Sequence, residues 1–241
     1  MRIAICDDNT SFLNYFKPML IKELELRSIK DEIETYTKAE VFLSHHRRKP
    51  FTAIFLDLDM PEITGFEVAR RLEEDGNCFV IFITSHQELV YDSFSFRPLN
   101  FICKDPNSEV MQKRLHMVVR QLTEALKQEK TIVLENKEQG RVSVKLCEVT
   151  YIESSSHHCI YHFNDETDTI AVRESIGDIE DRYREYDFIR VHKKYIVNLK
   201  YVFNISRSKE TVVFKGGSEL PMSRNCKNAV DDALTKYLRR K

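Results

Sequence analysis

The chain of 241 residues lacks several things that would point elsewhere. No apolar run reaches the length of a transmembrane helix, and no charged and apolar leader precedes the first strand pattern. The six cysteines (Cys6, Cys78, Cys103, Cys147, Cys159, Cys226) include no CxxC. Three lie in or beside apolar runs, which favours reduced thiols over a disulfide framework. These absences together give the expectation of a cytoplasmic protein with no membrane partner. No Gly/Ser-rich or Pro-rich hinge, internal repeat or low-complexity segment divides the chain. The second half has no Ser-His-Asp order, no glycine-rich phosphate loop and no paired-carboxylate motif, which argues against an output enzyme.

What is present fits two domains of ordinary size. Hydrophobic residues make up 42% and charged residues 31%, as in a globular protein with sizeable cores. The net charge of −1 hides an asymmetry. Residues 1–130 carry 18 Lys/Arg against 21 Asp/Glu, whereas residues 188–241 carry 13 against 4. An acidic front and a basic end suggest two tasks, the second directed at a polyanion.

Residues 1–105 alternate short apolar runs with helical patterns, the signature of an α/β fold with a helix-wound parallel sheet. Strands are expected at 2–6, 32–36, 51–57, 79–83 and 99–103. Residues 32–36, the most polar, suit an edge. A final helix is expected over 108–129. Pro18 falls inside the pattern Leu13, Phe16, Leu20, Leu24, and should kink that helix or delay its start. The run Phe51–Asp57 reads as a buried parallel strand stopped by Met60-Pro61. Asp57 therefore stands at the carboxyl end of a central strand, where open α/β sheets bind ligands. The first strand stops at Asp7-Asp8, the fourth at Thr84-Ser85 and the fifth at Lys104. A lone Asp at a strand end is more often a cap, and a lone Lys or Thr there is usually solvated or bonded to backbone. Five such residues in order at successive strand ends argue for one shared crevice.

That inventory suits phosphoryl chemistry: carboxylates to hold Mg²⁺, a nucleophilic Asp57, and Thr84 and Lys104 to bond phosphoryl oxygens. These residues resemble the receiver domain of two-component response regulators over about the first half of the chain. The resemblance implies a flavodoxin-like, five-stranded doubly wound domain with Asp57 as phosphoacceptor. It implies Mg²⁺ on Asp8, Asp57 and the Asp59 backbone carbonyl, with Asp7 acting largely through metal-bound water. Thr84 corresponds to the switch hydroxyl, Lys104 to the phosphate-binding lysine and Phe101 to the aromatic switch. The family usually places proline directly after that lysine, whereas here the string is Lys104-Asp105-Pro106. Asp59 and His86, two residues beyond the acceptor and the switch threonine, are expected to border the path of attacking water.

After Lys130 the period changes to alternation. Thr131–Glu135, Arg141–Lys145, Val149–Glu153, Cys159–Phe163, Thr169–Arg173, Tyr195–Asn198, Tyr201–Ile205 and Thr211–Lys215 read as short strands. Turn residues such as Asn164-Asp165 and Gly216-Gly217 separate them. Helices are expected at Ser175–Tyr186 and Cys226–Leu238. Val149–His157, Phe188–Leu199, Gly217–Arg224 and the closing helix resemble the LytTR (LytR/AlgR-type) DNA-binding domain over roughly residues 131–238. The resemblance implies a mostly β module with His157 or His158, Lys193 and Arg224 facing DNA and Lys194 on phosphate. Arginine matches the guanine edge with its fork, and adjacent lysines more often neutralise phosphates. His192 faces away from Lys193 and is as readily a structural histidine. A zinc site on His157, His158 and His162 lacks a second pair of ligands. The expected division is a receiver at 1–125, a linker at 126–130 and a DNA-binding domain at 131–241. The implied partners are a sensor histidine kinase and double-stranded promoter DNA, with a homodimer forming on phosphorylation. A helical RNA-binding antiterminator is disfavoured by the strand pattern.

Overall fold

The computed structural model describes all residues except 28, 30, 76–77, 87–95, 137–139, 165–168, 207 and 240–241, and for 74–75 the backbone alone. The chain divides into two compact units, Met1–Glu124 and Ala125–Lys241. No helix among the described residues is long and apolar enough to cross a membrane.

In the first unit, β1 (Arg2–Cys6), β2 (Glu32–Tyr36), β3 (Ala53–Asp57), β4 (Phe79–Thr84) and β5 (Asn100–Cys103) form one sheet in the order β2-β1-β3-β4-β5. Every pairing is parallel. The order reverses between β1 and β3, which opens a crevice at their carboxyl ends. All five residues of β3 are buried, as a central strand covered on both faces requires. β2 is the edge, and its partial exposure matches its polar sequence. Each fully buried Ile, Leu or Phe of the sheet contributes about 1.5–3 kcal/mol, so the strand ends rest on a stiff platform.

Helices α1 (Thr10–Glu25), α2 (Ala39–Arg48), α3 (Gly65–Asp75) and α4 (Ser108–Glu129) flank this sheet sequence. The Asn9 side chain caps α1 by accepting from the Phe12 amide at 3.1 Å. The helix starts ahead of Pro18 and continues past it. The expected delay in its start is therefore corrected: the cap sets the start, and the apolar face of Leu13, Phe16, Leu20 and Leu24 is buried throughout.

The second unit holds a ribbon of β6 (Thr131–Asn136) and β7 (Gly140–Lys145). Its main sheet is antiparallel, ordered β10-β9-β8-β12-β11. The strands are β8 (Val149–Ser155), β9 (His158–Phe163), β10 (Thr169–Val172), β11 (Phe188–His192) and β12 (Tyr195–Asn198). A third sheet contains β13 (Val202–Ser206), β14 (Thr211–Phe214) and β15 (Glu219–Pro221). Helices α5 (Ile176–Tyr183) and α6 (Lys227–Arg239) complete the unit. Two strands escape the alternation rule. β11 shifts register between Arg190 and His192, and β15 contains Pro221, which an edge strand tolerates.

Candidate functional site

Parallel register assembles the first site. Cys6 lies beside Leu56, Asp57 beside Ile83, and Thr84 beside Cys103. The residues at or just beyond these four strand ends, Asp7, Asp8, Asp57, Thr84 and Lys104, therefore share one edge of the sheet. Carboxylate oxygens of Asp7, Asp8 and Asp57 all lie within 4.8 Å of one another. Asp7 and Asp57 are buried, whereas Asp8 is exposed. Lys104 Nζ stands 2.7 Å from Asp7 Oδ2 and 3.2 Å from Asp57 Oδ1, with the Phe12 ring 4.6 Å away. Asp7 Oδ2 has no hydrogen bond among the described residues. Its short approach to Lys104 is an ion pair by distance without hydrogen-bond geometry. Three clustered carboxylates facing one ammonium leave negative charge uncompensated, which fits an oxygen-seeking divalent cation.

Burial raises the Asp57 carboxyl to about 6, with Asp7 pushing the same way and Lys104 opposing. Burial, reinforced by the acidic neighbours, pushes the Cys6 thiol up to about 12, so it remains a neutral lining residue. Thr84 is buried, and its Oγ1 accepts from the His86 amide at 2.9 Å. The Lys104 amide donates to Thr84 O at 2.7 Å, which couples the β4 and β5 ends. His86 Nε2 stands 3.4 Å from Asp59 Oδ2, and both side chains are largely exposed. Phe101 is partly buried against the sheet core. Of the three aromatics whose face is expected to bury on association or to be core, Phe96 stacks on Phe66 at 5.2 Å, whereas Tyr91 and Phe94 lie outside the described residues.

Gly65 is a site residue that motif reading passed over. A Cβ there would sit 2.3 Å from Asp57 O and 2.8 Å from Leu58 Cα. The bare backbone lets α3 begin directly against the loop after β3, where the Gly65 amide donates to Leu58 O. A lone glycine opening a helix after the Met60-Pro61 loop was the available signal.

The second site forms at one end of the main antiparallel sheet. His157 occupies the β8–β9 turn and His158 starts β9. Lys193 and Lys194 form the β11–β12 turn, and Arg224 follows β15. All five are exposed. The Ser154 amide donates to Lys194 O at 2.7 Å, and the Ser223 amide donates to Val191 O at 2.8 Å. These bonds lay the three segments side by side. Arg224 Nε donates to Glu210 Oε1 at 3.1 Å. His192 Nδ1 accepts from the Lys194 amide at 3.3 Å, a structural bond. Ile196 and Val197 are core, and Tyr195 packs partly against it. Asn198 is buried and donates from Nδ2 to Val149 O at 2.9 Å, tying β12 to β8. His162 stacks on Tyr151 at 4.0 Å, and burial lowers its pKa against the opposing pull of Glu153.

The sequence matches the response regulator receiver domain family over residues 3–116 and the LytTr DNA-binding domain family over residues 139–235. Sensory transduction protein LytT of Bacillus subtilis (strain 168) is 26% identical over 198 residues, covering 71% of this chain and 74% of that protein. Accessory gene regulator protein A of Staphylococcus epidermidis is 24% identical over 232 residues, covering 90% of this chain and 94% of that protein. Among solved structures, the response regulatory domain of protein mrkE from Klebsiella pneumoniae aligns with 54% of this chain and 100% of its own, at 22% identity and a TM-score of 0.46. With a receiver domain followed by a LytTr DNA-binding domain along most of its length, this chain belongs to the two-component transcriptional response regulators.

Proposed function

We propose that the protein is a phosphorylation-dependent transcription factor in which Asp57 accepts a phosphoryl group from a sensor histidine kinase. The arrangement that carries this reading is Asp57, buried at the end of β3, with Lys104 3.2 Å away and Asp7 and Asp8 beside it. An Asp57 carboxylate oxygen attacks phosphorus in line. The O–P bond forms as the N–P bond to the kinase imidazole breaks, and that nitrogen takes a proton from solvent. Lys104 keeps a fraction of Asp57 ionised against burial and then faces the phosphoryl oxygens. Thr84 leaves the His86 amide to bond the same group, and Phe101 turns into the space released. Asp8, Asp57, the Asp59 backbone carbonyl and, through water, Asp7 would hold Mg²⁺, which supplies charge neutralisation at the phosphoryl group. Residues 1–125 form the switch and 131–241 the DNA reader, joined through 126–130.

His157, His158, Lys193 and Arg224 face the DNA grooves in this reading, and Lys194 neutralises phosphate. Phosphorylation acts by promoting a homodimer that presents two readers to paired half-sites. Labelling with acetyl phosphate and Mg²⁺ tests the acceptor: wild type takes up label and Asp57→Asn does not. Label persisting on the variant at another acid rejects the assignment. Footprinting genomic duplex fragments with and without the phosphodonor tests the output, with a matched RNA hairpin as the competing substrate.

A further inference from the structure

The β11–β12 turn has backbone angles that its lysines favour but that fit the twist of the flanking strands poorly. His192 pairs with Tyr195, so Lys193 and Lys194 make a two-residue hairpin loop. Loops of this length that match strand twist have positive φ at the first central residue or at both. Neither lysine is among the residues with positive φ, and β11 shifts register just before the turn. Groups outside the loop hold it instead. Arg190 donates from Nη2 to Lys193 O at 3.0 Å and from Nε to His192 O at 3.3 Å. Its other arm, Nη1, donates to Glu180 Oε2 on α5 at 3.0 Å. The Lys194 amide and carbonyl are taken up by His192 and Ser154. All three guanidinium nitrogens are thus engaged by protein acceptors, and two of them grip consecutive carbonyls of the loop.

We infer that Arg190, anchored by Glu180, is a positioning residue for nucleic-acid binding. It locks the turn so that Lys193 and Lys194 are presented together, and it makes no contact with the phosphates itself. The inference rests on the DNA-reading role proposed above. Pre-ordering the turn removes a conformational cost from binding. A lysine at position 190 would keep the charge but lose the planar fork that spans two carbonyls.

The test uses the full chain and a duplex enriched by the wild type from a random-sequence pool. Arg190→Lys should bind that duplex roughly tenfold more weakly, because charge-assisted bonds to the turn are lost. The slope of log affinity against log salt should stay unchanged, and the Lys194 and Tyr195 amides should exchange faster with solvent. Glu180→Gln should move affinity and exchange the same way by a smaller amount, and it carries the test if Arg190→Lys fails to fold. Lys194→Ala supplies the contrast, since loss of a phosphate contact lowers the salt slope by about one unit. Arg190→Gln, which removes the charge, should also leave the slope unchanged, and a slope lowered by about one unit there would put the guanidinium on a phosphate and overturn the inference. Unchanged amide exchange in the variants would overturn it as well. Failure of the wild type to enrich any duplex would reject the DNA-reading role itself, and the positioning role with it.

Discussion

At the scale of single residues, the acceptor and its glycine neighbour make separable predictions. Asp57 holds a carboxylate in a buried site whose carboxyl is raised to about 6. A raised folded-state pKa favours the folded state below the unfolded value, and that contribution is lost as pH rises through about 6. In chelator, Asp57→Asn should therefore be more stable than wild type at pH 8, by roughly 1–3 kcal/mol. The difference should shrink toward pH 4, and paired thermal melts at the two pH values check it. Equal melts at pH 8 would mean that the buried charge carries no penalty. Gly65→Ala places a methyl group within 2.3 Å of Asp57 O. Backbone must shift there, with an expected loss of about 1–3 kcal/mol and slower phosphorylation from acetyl phosphate. A variant with wild-type melting and labelling would show that the loop yields freely.

At the scale of elements, the proposed kinetics and specificity can be tested on two loops and two turns. Asp59 and His86 project from the loops after β3 and β4 and approach to 3.4 Å across the mouth of the crevice. If the pair borders the path of attacking water, replacing both with alanine should change the decay rate of label on Asp57. An unchanged rate removes them from that role. On the second unit, Arg224→Ala should relax preference at one base pair and lose about 1–3 kcal/mol of binding. Lys194→Ala should weaken all sequences alike and reduce the salt slope by roughly one unit. Equal loss on specific and random duplexes in Arg224→Ala would show that it reads no base.

At the scale of the whole molecule, the proposed switch would be a population shift whose size is limited by what the phosphoryl group contacts differently in the two states. Phosphodonor should move the full chain from monomer to dimer in sedimentation. The fragment 131–241 should bind DNA weakly and without response to phosphodonor. A fragment binding as tightly as the activated full chain would point to inhibition by the receiver instead of dimerisation.

Much of the receiver is legible from the chain because a parallel strand buried on both faces leaves an unbroken apolar run, and its end is marked by whatever polar residue follows. Asp7, Asp8, Asp57, Thr84 and Lys104 each stand at or just beyond such an end, so their order already implied a common edge. The strands at 2–6 and 32–36 and the helix at 108–129 share their bounds with the structure because periodicity changes sharply there. The tertiary structure decided what pattern cannot carry. Parallel register and the loops just beyond it brought Lys104 between Asp7 and Asp57, and only the close packing of α3 on the loop after β3 explains why position 65 is glycine. β11 was hidden because a register shift breaks its alternation. Arg190 was silent for a related reason: its role lies in gripping two backbone carbonyls of a turn, and no side-chain pattern in a sequence records where a carbonyl will be.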